Sequence, residues 1–282
     1  MTQDSVSPRI SPSTVGMIIL FAAVFWFVAA ALARQWLDDP NYTHGLFVVP
    51  MAIFLAWRRR GKLAKAPRSV WSPGIIVVAI GGAIYLLGIA AAELFTQRFA
   101  MVLTAIGLFS LTQGKERTRV LAFPLAFLLL MLPLPYILYY RLTFPLQIES
   151  SRLTATLLSV LGMPVVRTGN VIHLENYNLE VVTACSGLRS MMTLGTLAIF
   201  ASDFLHTGSA AKVLLVVLSV PVAIAANTVR LAVTAIVSAL GSPEAADNFF
   251  HQFSGIVVFL SGLVLLVAAG LVLEWIARRK AA

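Results

Sequence analysis

The sequence predicts an all-α polytopic membrane protein with about eight transmembrane helices, interrupted by a small extracytoplasmic amphipathic helix and a β-hairpin or meander. Three observations predict it. Hydrophobic residues fill 59% of the 282 positions and charged residues 12%, with a mean hydropathy of +0.88, whereas soluble domains carry roughly 25% charged residues. The apolar residues fall into eight runs, and a bilayer-spanning helix needs about 20 mostly apolar residues. Basic residues concentrate in short segments between those runs, the distribution that the positive-inside rule describes.

The runs lie near Val15 to Ala33, His44 to Trp57, Trp71 to Ala92, Phe99 to Leu111, Val120 to Leu134, Leu188 to Phe204, Val213 to Ser238 and Phe253 to Ile276, the second and fourth being short. Arg58 to Arg68 holds six basic residues and no acid, so this segment is expected in the cytoplasm. Counting spans from there places Lys115 to Arg119, the Asp203 to Lys212 turn and the tail Arg278-Arg279-Lys280 on the same side. Residues 34–43, 93–98, 135–187 and 239–252 fall on the other, and both termini are cytoplasmic. Ala31-Leu32-Ala33 resembles a signal-peptidase site, but the run before it is long for a signal segment, and a retained helix is expected. Cleavage there would leave the remaining topology unchanged. Met131-Leu132-Pro133-Leu134-Pro135 ends the fifth run, since proline cannot continue a helix.

Residues 135–187 form the extracytoplasmic subregion. From Arg141 to Leu161 the polar residues Gln147, Glu149, Ser150, Ser151 and Arg152 stand among leucines at helical spacing, which predicts an amphipathic helix lying along the interface. Val165-Val166-Arg167-Thr168 and Val171-Ile172-His173-Leu174 flank Gly169-Asn170, a two-residue hairpin signal. A second turn at Glu175 to Asn178 precedes Leu179-Glu180-Val181-Val182, so a three-stranded meander is expected to deliver the chain into Cys185. No internal repeat or low-complexity linker divides the chain, and residues 1–282 read as a single membrane-embedded domain.

Cys185 is the one cysteine of the chain, so it forms no internal disulfide and is either a small buried apolar residue or a nucleophile. Its place in Thr183-Ala184-Cys185-Ser186-Gly187-Leu188, where a polar segment enters a long apolar helix, favours thiolate over thiol through the positive end of that helix. Arg230 lies 17 residues beyond Val213, about 26 Å along a helix rising 1.5 Å per residue. A charge inside a span faces a bundle interior or a watery cavity and marks function by default, the alternative being an arginine that snorkels to the headgroups. Asn227, Arg230 and Thr234 share one helix face. His251 is at the outer entrance of the last helix, as a catalytic base or a plain polar cap. The charge-derived topology brings Cys185, Arg230 and His251 to one depth on one face. A cysteine activated by a histidine is a covalent catalyst, and an arginine can stabilise the oxyanion that forms. Ser186, Asn227 and His44, the last within Tyr42-Thr43-His44-Gly45, are supporting candidates, whereas His173 and His206 are given no role.

The formal charge of +9 is read as topology and as attraction to anionic membrane lipids, which excludes nucleic acid as a partner. The spans carry no paired carboxylates and no His/Cys cluster with zinc spacing, so no metal or other cofactor is expected.

Tyr42-Thr43-His44-Gly45, Pro133-Leu134-Pro135, the Gly169-Asn170 hairpin, Ala184-Cys185-Ser186-Gly187-Leu188-Arg189-Ser190, Asn227-Thr228-Val229-Arg230 and His251 together resemble the exosortases and their archaeal relatives, the archaeosortases. The resemblance runs along most of the chain in the expected order. It implies a cysteine transpeptidase of the Gram-negative inner membrane, with its active site facing the periplasm. The implied substrates are exported proteins with a C-terminal sorting signal: a Pro-Glu-Pro-like motif (PEP-CTERM), one membrane helix and a basic end. It carries over Cys185 as nucleophile with Arg230 and His251 as partners, and an acceptor amine of unknown identity to resolve the thioester, water in its place making the enzyme a protease. Histidine at the third position fits exosortases better than archaeosortases. The alternative from another class is a transporter or flippase for an anionic envelope or exopolysaccharide precursor, with Arg230 and His251 lining its path. Such carriers often show inverted repeats, and none is found here.

Overall fold

A computed structural model of the chain describes residues 11–175, 177–182, 186–240 and 243–281, with side chains over 11–175, 177–182, 186–239 and 259–279. The chain forms two compact units, Met1–Pro135 and Tyr136–Ala282. The boundary falls where the sequence places the start of the extracytoplasmic subregion.

Unit 1 runs through α1 (Pro12–Asp38), α2 (Gly45–Arg58), α3 (Arg60–Lys65), α4 (Gly74–Ala90), α5 (Leu94–Gln113), α6 (Lys115–Val120), α7 (Ala122–Phe127) and a 3-10 turn at Leu128–Met131. Ser11 starts α1 by accepting the Thr14 N–H, and Pro12 fills the first turn, where its missing N–H costs nothing. The helix passes unbroken through Ala31-Leu32-Ala33, and Leu32 is buried. Leu20, Trp26 and Phe27 are exposed, a surface suited to lipid rather than water. Helices α4 and α5 form an antiparallel pair with Gly74, Gly81 and Gly88 of α4 set against Leu111, Thr104 and Gln97 of α5. Small residues let two backbones approach this closely. At one end of the pair the Ser69 N–H donates to the Gln113 carbonyl and Arg117 Nε donates to the Ala66 carbonyl at 3.2 Å. The basic segments Arg58–Arg68 and Lys115–Arg119 therefore share one end of unit 1. At the other end Glu93 caps α5 by accepting the Phe95 and Thr96 N–H groups. Burial alone would push the Glu93 carboxyl up, but bonds from the Thr96 hydroxyl and those N–H groups, with the Arg98 charge nearby, hold it below the usual carboxylate range.

Of the eight runs expected to span, four helices among the described residues are long and apolar enough to cross a membrane: α1, α5, α10 (Ser209–Leu240) and α11 (Pro243–Ala281), the last two over Ser209–Ala239 and Phe259–Arg279. A fifth appears if 122–131 and 136–160 count as one broken span. The expectation of eight is not met by length, because α2, α4 and α9 (Leu188–Ser202) have 14, 17 and 15 residues, about 21 to 26 Å at 1.5 Å per residue against a hydrocarbon core of about 30 Å. The run from Val120 is broken because Pro124 and Pro133 leave it only short helical pieces.

Unit 2 contains α8 (Tyr136–Val160), the strands β1 (Val166–Thr168), β2 (Val171–His173) and β3 (Asn178–Glu180), then α9, α10 and α11. The strands form the expected meander in the order β1-β2-β3, antiparallel, with Thr168 opposite Val171 and Ile172 opposite Leu179. Gly169 has φ +63° and no non-glycine but Ala92 has positive φ among the described residues, so Gly-Asn closes a turn of the II′ kind. Three-residue strands are marginal alone. Ile172, Leu174, Leu179 and Val181 bury one face against Leu158 of α8 and Leu231, Ala232 and Ala235 of α10, each worth about 1.5–3 kcal/mol when fully buried. A second apolar cluster, Ala198, Leu215 and Leu266, joins α9, α10 and α11.

Candidate active site

The polar centre of unit 2 is assembled from three helices. On α8 the buried face carries Tyr139, Thr143, Ser150, Ser151, Thr154 and Leu158, a stripe of small hydroxyl residues at helical spacing. Ser150 and Ser151, read from the sequence as part of the polar side of this helix, are buried, while Arg141, Leu142 and Arg152 are exposed. Ser151 donates to the Ile148 or Gly169 carbonyl, tying α8 to the hairpin turn.

Ser150 Oγ donates to the Ser186 carbonyl at 3.1 Å and accepts from Asn227 Nδ2 at 3.3 Å. Asn227, fully buried on α10, accepts Arg230 Nη2 at 2.8 Å through its Oδ1. Each group uses its donor and acceptor in a consistent sense, so one hydrogen-bonded line runs Arg230, Asn227, Ser150, Ser186. Arg230 is half-buried, and Asn227 one turn earlier on α10 fixes the side of the helix on which its guanidinium lies. Thr234, on the same face of α10 as expected, donates to the Arg230 carbonyl at 2.9 Å within its own helix.

Ser186 also accepts the Leu188 N–H at 3.3 Å, which helps to start α9. Gly187, the N-cap, sits at φ +87°, and a Cβ there would lie 3.1 Å from Asn227 Cγ and Nδ2. Glycine is required twice over, for the left-handed backbone and for the close approach of α10. The glycine of the motif is thus explained by packing against Asn227, and the serine by its bonds to the Leu188 N–H and from Ser150.

The structure brings together Ser186, Asn227 and Arg230. Cys185, immediately before Ser186, lies outside the described residues, as do the side chain of His251, whose backbone belongs to α11, and Thr183 and Ala184. His44 belongs to unit 1, where it is the buried residue before α2. His173 bonds Asn178 across the β2–β3 pair at 2.8 Å, and His206 lies 3.5 Å from Glu274, structural contacts both. Ser150 escaped the sequence reading, because a serine 36 residues from one partner and 77 from the other leaves no local pattern. Sorting the α8 face by residue size instead of polarity would have marked its stripe. Among the described residues no group of three or more His, Cys, Asp or Glu is placed to hold a metal ion.

Arg230 is a planar cation held in place, which suits it to stabilise negative charge developing nearby. The family model for transmembrane exosortases matches residues 36–268. No curated protein and no solved structure matches the chain.

Proposed function

Because that match makes the chain a member of the transmembrane exosortase family, we propose that it is a membrane cysteine transpeptidase that removes a C-terminal sorting signal from exported proteins and passes them to an acceptor amine. The signal in this reading is a PEP-CTERM-like motif followed by a membrane helix and a basic tail. The enzyme sits in the inner membrane with both termini cytoplasmic, α2, α4 and α9 counted among its crossings, and its active site at the periplasmic face.

Cys185 loses its proton to His251 and attacks the carbonyl carbon of the scissile peptide. The oxyanion that forms is stabilised by Arg230. Collapse breaks the C–N bond as His251 gives the proton to the departing amine, leaving a thioester and the released tail. An acceptor amine, deprotonated by His251, attacks the thioester, and thiolate leaves as the new amide forms. Water in place of the amine gives hydrolysis. Ser186 and Asn227 set the positions of Cys185 and Arg230.

The observation that carries this reading is the hydrogen-bonded line from Arg230 to the Ser186 carbonyl, which couples the oxyanion candidate to the residue next to the nucleophile. Co-expression with a reporter ending in such a signal tests it. Cys185→Ala is expected to abolish processing at near-normal enzyme levels, and Arg230→Lys to fail as well, since a point charge does not replace a planar fork of donors. Wild-type processing by both variants would end the catalytic reading.

A further inference from the structure

A cavity of about 430 Å³ opens where α1 begins, lined by Ser11, Ser13 and Thr14 of that helix, Arg68 and Ser69 ahead of α4, and Thr112 at the end of α5. Ser11 Oγ lies 2.9 Å from Ser13 Oγ and 2.8 Å from Thr14 Oγ1. These three hydroxyls share two contacts, so at least one of their protons is left to donate into the cavity. Arg68 is exposed and pairs with no carboxylate among the described residues. The cavity lies at the end of unit 1 that collects the basic segments Arg58–Arg68 and Lys115–Arg119, so its charge suits an anion.

A second cavity, of about 180 Å³, adjoins the first at Met17, which lines both. Its walls are apolar, with Leu20, Phe21 and Val24 of α1, Val78 of α4 and Leu108 of α5. Gly82 keeps it open, since a Cβ there meets nothing within 4 Å. Phe25 and Tyr85, their rings 4.6 Å apart, stand at its far end. From Met17 to Phe25 the trough runs about 12 Å at 1.5 Å per residue, close to one leaflet's share of a hydrocarbon core about 30 Å thick. A helix about 10–12 Å across does not enter a space of this size, whereas a hydrocarbon chain does.

We propose that these two cavities form one site for an anionic phospholipid of the leaflet on the basic side of unit 1. Arg68 and the hydroxyls at the start of α1 hold the phosphate, and one acyl chain lies in the trough between α1, α4 and α5. Basic pockets between membrane helices suit acidic headgroups in this way. A zwitterionic lipid brings its own cation to the same cavity, and a free phosphate has nothing to place against the apolar walls. The site lies wholly in unit 1 and needs none of the chemistry proposed for Cys185.

The test uses the full chain in a non-ionic detergent, with lipid retention read by native mass spectrometry during titration with dioleoylphosphatidylglycerol, dioleoylphosphatidylcholine or glycerol 3-phosphate. One phosphatidylglycerol is expected to bind saturably, on the order of tenfold more tightly than phosphatidylcholine, and glycerol 3-phosphate is not retained. Arg68→Gln should bring phosphatidylglycerol down to the phosphatidylcholine level. Arg60→Gln removes the same charge from a guanidinium 3.9 Å above the Trp57 ring and outside the cavity, and should change nothing. Gly82→Leu, which fills the trough, should weaken retention of both lipids while the melting temperature holds. Equal losses in Arg68→Gln and Arg60→Gln would reduce the site to general charge attraction. Equal retention of the two lipids, glycerol 3-phosphate binding as tightly as phosphatidylglycerol, or unchanged retention in a folded Gly82→Leu protein would each overturn it.

Discussion

Gly187 and Gly169 both hold positive φ, yet they carry different burdens. At Gly187 the backbone is at φ +87° and the space that a methyl would need belongs to the amide of Asn227. At Gly169 the backbone is at φ +63° with nothing within 4 Å of the added atom. Left-handed backbone costs an ordinary residue about 1–2 kcal/mol, and overpacking adds about 1–3 kcal/mol. Gly169→Ala should therefore lower the melting temperature modestly and leave processing of a reporter intact. Gly187→Ala should lower it further and also reduce processing, because displacing Asn227 disturbs both Arg230 and Ser150. The comparison of melting temperature and reporter cleavage in the two variants separates backbone strain from site geometry, and equal losses in both would show that the Asn227 contact carries no function.

Helix pairing in unit 1 depends on spacing of the same residue type. Gly74, Gly81 and Gly88 recur every seven positions of α4 and face α5, as in a left-handed pair of nearly parallel axes. A Cβ at Gly81 would land on the Thr104 hydroxyl and 3.1 Å from the Thr104 nitrogen, whereas Gly82 has nothing within 4 Å. Adjacent residues should then respond with opposite sign: Gly81→Ala destabilising by about 1–3 kcal/mol, Gly82→Ala neutral or stabilising by up to about 1 kcal/mol through helix propensity. Thermal melts of the two proteins in one detergent check this, and equal destabilisation would mean that α4 does not present this face to α5. The helices and the Gly169-Asn170 meander were legible in the sequence because apolar periodicity and turn chemistry are local. The Asn227–Arg230 pair was legible because i and i+3 meet on any helix. Ser150, the inward turn of α8 and the internal bond of Thr234 were not, since polarity marks water-facing surface only where the neighbouring elements are apolar.

Across the whole molecule the question is how many helices cross the bilayer, and unit 1 contains an argument that length alone misses. The Trp71 N–H donates to the Leu111 carbonyl at 3.3 Å, and Arg117 Nε to the Ala66 carbonyl, so the start of α4 and the end of α5 lie at the same level. At the far end the Gln97 side chain donates to the Gly88 carbonyl at 3.1 Å. An antiparallel pair matched at both ends either crosses together or not at all, and α5 is long and apolar enough to cross. Helix α4 is therefore expected to cross as well, its 17 residues completed by the flanking turns. Counting only the longer helices puts residues 69 and 91 on one side of the membrane; counting α4 puts them on opposite sides. Since Cys185 is the single native cysteine, Cys185→Ala provides a thiol-free background in which Ser69→Cys, Ala91→Cys and Glu175→Cys can each be labelled by a membrane-impermeant maleimide. In intact spheroplasts Ala91→Cys and Glu175→Cys should react and Ser69→Cys should react only after lysis, as the basic residues around it require. Reaction of Ser69→Cys and Ala91→Cys under the same condition would remove α4 from the count of spans, and with it the assignment of the polar centre of unit 2 to the periplasmic face.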